Sequence, residues 1–126
     1  MKIILAVAIG GALGAMARYG LSVAAIKAWG SSFPYGTLIA NVLGGFLMGV
    51  IVELFALKFD AQFTLRAFLT VGLLGGFTTF SAYSLEVVLM LERGQSLLAL
   101  GYACGSALLA VLALFCGLTI IRWGFA

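Results

Sequence analysis

Hydrophobic residues fill this chain in four long runs, which are separated only by short clusters of charged residues and turn formers. The runs cover residues 3–26, 35–57, 63–91 and 96–121. Each run exceeds the roughly 20 residues that a helix needs to cross the hydrocarbon core of a bilayer. The connections are too short to hold an extramembrane domain. The pattern therefore predicts an all-α membrane protein of one domain, residues 1–126, with four transmembrane helices and both termini on the same side.

Composition agrees with a lipid environment. Hydrophobic residues make up 64% of the chain and charged residues 9%, whereas a soluble domain has roughly 25% charged residues. The net charge of +3 is scattered without a basic run, so we expect no nucleic-acid partner. The absence of histidine excludes a histidine proton relay and a histidine-ligated metal. We therefore expect a multi-pass membrane protein that is not an enzyme.

The first run has a superficial likeness to a secretory signal, because Lys2 precedes it and the triplet Ala15-Met16-Ala17 resembles a cleavage site with small residues at its first and third positions. Against that interpretation, the charged leader is a single lysine, and Gly10, Gly11 and Gly14 interrupt the run before that triplet. Apolar character also resumes directly after Arg18. We expect the run to be kept as the first span.

Glycines stand four residues apart within every span: Gly10/Gly14, Gly45/Gly49, Gly72/Gly76 and Gly101/Gly105. Such pairs let helix backbones approach closely in a lipid medium. Among 17 glycines some pairs of this kind also arise by chance. Their presence in all four spans predicts tight helix contacts, and a protomer this small is expected to oligomerise.

Basic residues are divided almost evenly between the two predicted faces of the membrane. The face with the termini carries Lys2, Lys58, Arg66 and Arg122, and the other face carries Arg18, Lys27 and Arg93. Orientation normally follows an excess of Lys and Arg on the cytoplasmic side. Our hypothesis is that the chain inserts in both orientations and that the two orientations pair antiparallel. A carboxyl-terminal reporter found on one side only would contradict this hypothesis.

The third run is too long and too rich in glycine for a simple helix. As a straight helix, residues 63–91 would be about 43 Å long, against a hydrocarbon core of about 30 Å. Residues Gly75 to Thr79, near its middle, are poor helix formers, so we predict a break there. Broken helices in membranes often bind ions through their exposed backbone dipoles. The alternative is a continuous, kinked helix whose hydroxyl groups bond to its own carbonyls.

Polar and aromatic side chains follow the predicted break. Phe80 and Tyr83 share a helix face, and Ser81, Ser84 and Glu86 add polar groups in the same span. A carboxyl group inside a membrane is a functional candidate. Because Glu86 lies near the end of the span, a hydrated structural role is equally open.

Two further polar stripes lie on the second and fourth spans. The second span has small or polar residues at every fourth position, namely Thr37, Asn41, Gly45 and Gly49. The amide of Asn41 either holds helices together through a hydrogen bond or donates to a ligand. The fourth span carries Tyr102, Ser106 and Ala110 at the same spacing. These donors and aromatic ring edges lack a fixed negative charge, so they favour a weakly binding anion pathway.

Three segments, residues 10–19, 36–44 and 75–86, carry a family resemblance in order and spacing. Together they resemble the CrcB/Fluc family of fluoride channels along the whole chain. The resemblance implies an antiparallel homodimer in the bacterial inner membrane. It further implies two fluoride pathways that export cytoplasmic fluoride passively and give resistance to its toxicity.

The resemblance also implies roles for individual residues. A structural Na⁺ on the two-fold axis would be held by the backbone carbonyls of Gly75 and Thr78 of each subunit. Asn41 would be the amide that lines the pore, and Phe80 the first ring of an aromatic pair. Tyr102 and Ser106 would form a polar track in the fourth span, and Glu86 would be the acidic residue that follows the aromatic pair. The other polar candidates are Arg18, Thr37 and Thr79. The chain departs from the family at Tyr83, where phenylalanine is usual, and at Ala110, where a hydroxyl residue is common.

Two other functions are compatible with four spans. A small multidrug exporter driven by proton exchange requires a carboxylate embedded in its first span, and this first span has none. An assembly subunit without transport activity requires only packing residues, and the predicted break argues against it. The fluoride channel is the function that the sequence favours.

Overall fold

The computed structural model describes residues 1–57 and 62–125, and this part is entirely helical apart from its connections. The helices are α1 (Lys2–Trp29), α2 (Tyr35–Leu57), α3 (Phe63–Arg66), a π-helical segment (Ala67–Leu74), α4 (Gly75–Phe77), α5 (Ser81–Glu92) and α6 (Ser96–Gly124). Lys58 and Asp60, which close the second run, lie outside the described residues.

Four candidate spans are long and apolar enough to cross a bilayer: Lys2–Trp29, Tyr35–Leu57, Phe63–Glu92 and Ser96–Gly124. Their mean hydropathies run from 1.4 to 2.4. The prediction of four membrane-spanning helices is confirmed, with boundaries within a few residues of the apolar runs. The chain is a multi-pass membrane protein.

The first and third spans lie side by side and run in the same direction. A methyl group added at Gly72 would lie 3.0 Å from the carbonyl oxygen of Val7, and one at Gly76 would lie 2.5 Å from that of Gly11. Both contacts advance by four residues along each helix, which requires parallel axes. Glycine is needed at these crossing points because the two backbones touch without side chains between them.

The second and fourth spans form an equivalent parallel pair, in which α2 packs along α6. A methyl group at Gly45 would lie 2.7 Å from the carbonyl oxygen of Ala110. Farther along both helices, Gly49 meets the Leu114 carbonyl. The protomer thus consists of two parallel helix pairs, and consecutive spans run in opposite directions.

One of the four glycine pairs makes no close contact. Gly101 and Gly105 of α6 have no other part of the described protomer within 4 Å of an added methyl group. They line an open groove of about 720 Å³ on the protomer surface. The fourth span therefore has its tight contacts with α2 elsewhere, through Ala110, Leu114 and Gly117 and not through its predicted glycine pair, because α2 packs on a different face of α6.

The third span changes its winding twice. It is π-helical over Ala67–Leu74, and residues 78–80, between α4 and α5, are not helical. Thr78 is extended, with φ −85° and ψ 159°. Gly75–Phe77 are helical, although unwinding was expected to begin at Gly75, because close packing on α1 outweighs the weak helix propensity of glycine there.

An ion pair between α2 and α6 was not anticipated from the sequence. Arg122 donates from Nε to Glu53 Oε1 at 3.0 Å and from Nη2 to Oε2 at 3.1 Å. Glu53 is 7% exposed, whereas most of the Arg122 side chain is exposed. A bidentate pair of this kind fixes the relative height of the two helices.

We predict that Arg122→Met will lower the thermal unfolding midpoint, because it leaves the buried Glu53 carboxylate without its partner. The double variant Glu53→Gln/Arg122→Met should recover most of the loss, since no charge is then left unpaired. Arg93→Met is the control, because Arg93 is exposed and has no ion pair among the described residues. Thermal unfolding in detergent measures all three; equal midpoints for Arg122→Met and Arg93→Met would contradict the prediction.

Candidate functional site

The amide of Asn41 is bound to the non-helical residues of the third span. Its Nδ2 donates to the Thr79 carbonyl oxygen at 3.0 Å, and its Oδ1 accepts from the Thr79 N–H at 2.8 Å. Both backbone groups of Thr79 are therefore satisfied by one side chain of α2. An amide has two N–H donors, and the second N–H of Asn41 has no partner among the residues that the structure describes. Asn41 is thus both interhelical glue and a potential donor.

Other side chains complete the hydrogen bonding around these residues. Arg18 Nε donates to the Gly76 carbonyl oxygen at 3.2 Å, and Thr78 Oγ1 donates to that of Leu74 at 2.9 Å. Thr79 Oγ1 accepts from the Ala82 N–H at 3.2 Å, in the first turn of α5. Interruption of a helix in lipid requires such replacement partners, since no water is present to supply them.

A cavity of about 450 Å³ lies directly in front of the non-helical residues. Asn41, Phe80, Tyr83 and Ser106 line it, and these four come from three different helical spans. Gly75, Thr78 and Thr79 border the same cavity. The structure therefore brings together seven of the residues singled out from the sequence.

Aromatic rings form a continuous series from this cavity towards the connection between α1 and α2. The Phe80 and Tyr83 ring centroids are 5.5 Å apart, as are those of Tyr83 and Tyr102. Phe33 meets Tyr102 edge to face at 5.4 Å. Phe80, at the cavity end, is 78% exposed on the protomer. Sequence reasoning missed Phe33, for which the available signal was an aromatic residue directly before Pro34.

The hydroxyl group of Tyr83 is bound away from the cavity. It donates to the Ala103 carbonyl oxygen of α6 at 2.5 Å. The ring itself still lines the cavity beside Phe80. Phenylalanine is usual at this position in the family that the sequence resembles, and the hydroxyl group that tyrosine adds here connects α5 to α6.

We predict that Tyr83→Phe will keep ion flux close to that of the native chain, because the ring edge remains and only the bond to Ala103 is lost. Stability should fall by about 1 kcal/mol, the usual net value of such a bond. Tyr19→Phe is the control, since Tyr19 is 73% exposed. Flux from proteoliposomes and thermal unfolding measure the two effects. A loss of flux without a loss of stability would place the hydroxyl in the pathway instead.

Glu86 joins three spans through hydrogen bonds. Its Oε2 accepts from Thr37 Oγ1 at 3.0 Å and its Oε1 from the Tyr102 hydroxyl at 3.3 Å. Thr37 and Tyr102 are both buried. Ser106 borders both the 450 Å³ cavity and the 720 Å³ groove, where Tyr102 also lies. The polar groups of α2, α5 and α6 thus form a connected set.

Two predicted residues lie apart from this set. Ser84 Oγ donates to the carbonyl oxygen of Phe80, just before its own helix, at 2.9 Å, and Ser81 is exposed beside Thr79. Neither residue is among those lining the cavity.

Known proteins match the chain over nearly its full length. The family described as "CrcB-like protein, Camphor Resistance (CrcB)" matches residues 5–118. A protein of Phenylobacterium zucineum is 54% identical and one of Rhodospirillum centenum 50%, each over 100% of both chains. One of Granulibacter bethesdensis is 51% identical over 90% of this chain and 89% of its own. All three are named "Fluoride-specific ion channel FluC". Sequence identity at this level over this length shows that the chain belongs to the CrcB family.

Proposed function

We propose that this chain is a fluoride-selective channel that lets cytoplasmic fluoride leave passively and so protects the cell from its toxicity. The observation that carries the proposal is the 450 Å³ cavity, where Asn41, Phe80, Tyr83 and Ser106 converge. No carboxylate of the described residues lines this cavity, and donors without fixed negative charge suit an anion. The names of the relatives specify fluoride. The proposed activity is conduction and not enzymatic catalysis.

The driving force needs no coupling to another reaction. Fluoride enters a cell as the neutral acid and is trapped as the anion once the proton is lost. A negative interior expels a unit negative charge with about 2.3 kcal/mol per 100 mV. A pore with weak donors along its length is therefore sufficient for export, and weak binding allows release.

We further propose that the functional unit is an antiparallel homodimer with two pathways. The proposal is supported by the cavity and the Phe80 ring, which are open on the protomer surface and which a second copy would enclose. The near balance of basic residues supports insertion in both orientations. The polar track of the fourth span would run from Ser106 to Tyr102, which both border the 720 Å³ groove.

The proposal includes a break of the third helix in the middle of the membrane and a structural Na⁺ beside it. Gly75 and Thr78 border the cavity, and their carbonyl oxygens accept no hydrogen bond from the described residues, so these oxygens are available to a cation that prefers oxygen ligands. Two carbonyls are an incomplete set of ligands, and a second protomer would supply the others. The bound charge would attract the anion and hold the protomers together.

Efflux from proteoliposomes tests the function. Vesicles loaded with potassium fluoride and shunted with valinomycin should release fluoride rapidly, and vesicles loaded with potassium chloride should retain chloride. Release of both fluoride and chloride would contradict the proposed selectivity for fluoride. Uptake of a hydrophobic cation coupled to protons, without fluoride release, would instead indicate an exporter.

A further inference from the structure

The backbone hydrogen bonds between residues 75 and 82 depart from those of a helix at two specific points. In a continuous helix the N–H of residue 79 would donate to the carbonyl of residue 75, and that of residue 82 to the carbonyl of residue 78. Here the Thr79 N–H donates to Asn41 Oδ1 at 2.8 Å. The Ala82 N–H donates to Thr79 Oγ1 at 3.2 Å. The side chains of Asn41 and Thr79 thus accept hydrogen bonds from the two N–H groups that would otherwise donate to the carbonyls of Gly75 and Thr78.

The neighbouring carbonyls are mostly occupied by other donors. Arg18 bonds to the carbonyl of Gly76, Asn41 to that of Thr79, and the Ser84 N–H to that of Phe80 at 2.9 Å. The Phe77 carbonyl also accepts no hydrogen bond within the described part of the chain. However, only Gly75 and Thr78 among the three unbonded residues border the cavity. Gly75 and Thr78 are therefore the residues that combine an unbonded carbonyl oxygen with a place beside the cavity.

We propose that Asn41 and Thr79 are positioning residues for a cation site, because their side chains keep the carbonyl oxygens of Gly75 and Thr78 free to bind Na⁺. This inference rests on the proposed function for the identity of the ion. It adds that the site exists because two side-chain oxygens compete with backbone carbonyls for the N–H groups of Thr79 and Ala82. Without the side-chain acceptor, each N–H would donate to the backbone carbonyl four residues before it, since a buried donor is costly to leave unpaired. The carbonyl oxygen would then no longer be free to bind Na⁺.

Thr79 variants test the second of these acceptors. Thermal unfolding of purified protein is measured in detergent while choline chloride is replaced by NaCl at constant ionic strength. Thr79→Val has nearly the same shape but no hydroxyl group. It should raise the Na⁺ concentration for half-maximal stabilisation about tenfold, corresponding to about 1.4 kcal/mol. Thr79→Ser restores the acceptor and should stay near the native value. Thr119→Val, which removes a hydroxyl bonded to Phe115 at 2.8 Å, is the control and should have no effect.

Asn41 variants test the first acceptor independently, and they decide the question if Thr79→Val does not fold. Asn41→Asp keeps an oxygen that can accept from the Thr79 N–H and adds a negative charge, so the response to Na⁺ should persist or become stronger. Asn41→Leu has a similar volume without an acceptor and should weaken that response about tenfold. Equal responses of these two variants, or of Thr79→Val and Thr79→Ser, would overturn the proposal.

Failure of this inference can be separated from failure of the proposed function. If Na⁺ stabilises the native chain and the variants differ as expected, but the native chain releases no fluoride, the cation site is supported and the proposed channel function is contradicted. A native chain that conducts fluoride but is not stabilised by Na⁺ over choline would overturn the inference alone.

Discussion

Replacing Asn41 with aspartate is expected to abolish fluoride efflux while the protein remains folded. The amide lies on the cavity and has one unbonded N–H. An aspartate there removes that donor and adds a negative charge. Two unit charges about 4 Å apart repel by about 4 kcal/mol at an effective dielectric constant of about 20, which corresponds to roughly a thousandfold slower passage. Efflux measured with a fluoride electrode should fall to the rate of protein-free vesicles.

The matched control for this variant is Gln62→Glu. It makes the same change from amide to carboxylate at an exposed residue before α3. Its efflux should equal that of the native chain. Undiminished efflux from Asn41→Asp would remove Asn41 from the pathway. A circular dichroism spectrum that remains helical would show that the loss of flux is not a loss of fold.

Gly14→Ala is expected to have the largest effect on stability. A methyl group there would lie 2.7 Å from the Phe77 backbone nitrogen and closer still to the Leu73 carbonyl oxygen. Neither atom belongs to a flexible side chain, so α1 and the third span would have to separate. Overpacking of this kind costs about 1–3 kcal/mol. The displacement would also reach the residues around Thr78, so flux should fall together with the unfolding midpoint.

Gly20→Ala provides the comparison within the same helix. Gly20 is exposed and has no other part of the described chain within 4 Å of an added methyl group. Alanine should therefore leave stability unchanged or raise it by up to about 1 kcal/mol, the difference in helix propensity. Thermal unfolding of the two variants compares the effects directly. A Gly14→Ala midpoint equal to that of Gly20→Ala would mean that this helix contact does not stabilise the protomer.

Much of the candidate site could be proposed from the sequence because polar groups are conspicuous in apolar runs. Asn41, Phe80, Tyr83 and Ser106 were singled out in this way, and they line one cavity. The double bond of Asn41 to Thr79 could not be predicted, since the two residues are 38 positions apart. Phe33 escaped attention because its role depends on Tyr102, a partner in another span.

Glu53 was overlooked for a similar reason. It lies near the end of an apolar run, and nothing in the local sequence connects it with Arg122, which is 69 positions away. The parallel packing of α2 on α6 places the two side chains at the same height. The glycine pairs show that a sequence pattern can also predict a contact that does not form. Gly101 and Gly105 have the same spacing as Gly45 and Gly49, but only Gly45 and Gly49 contact another helix of the described protomer.

The sequence by itself determined the four spans and the kinds of groups available for chemistry. Hydrophobic runs and their lengths are properties of single segments, and the free energy of transfer into lipid is a sum over each segment. Only the tertiary structure decided which spans are paired and which backbone groups are left free. Those outcomes depend on which helix supplies a competing donor or acceptor, as Asn41 does for Thr79. The carbonyl oxygen of Gly75 is unbonded for that reason, whereas that of Thr78 is unbonded because the hydroxyl of the adjacent Thr79 accepts the Ala82 N–H.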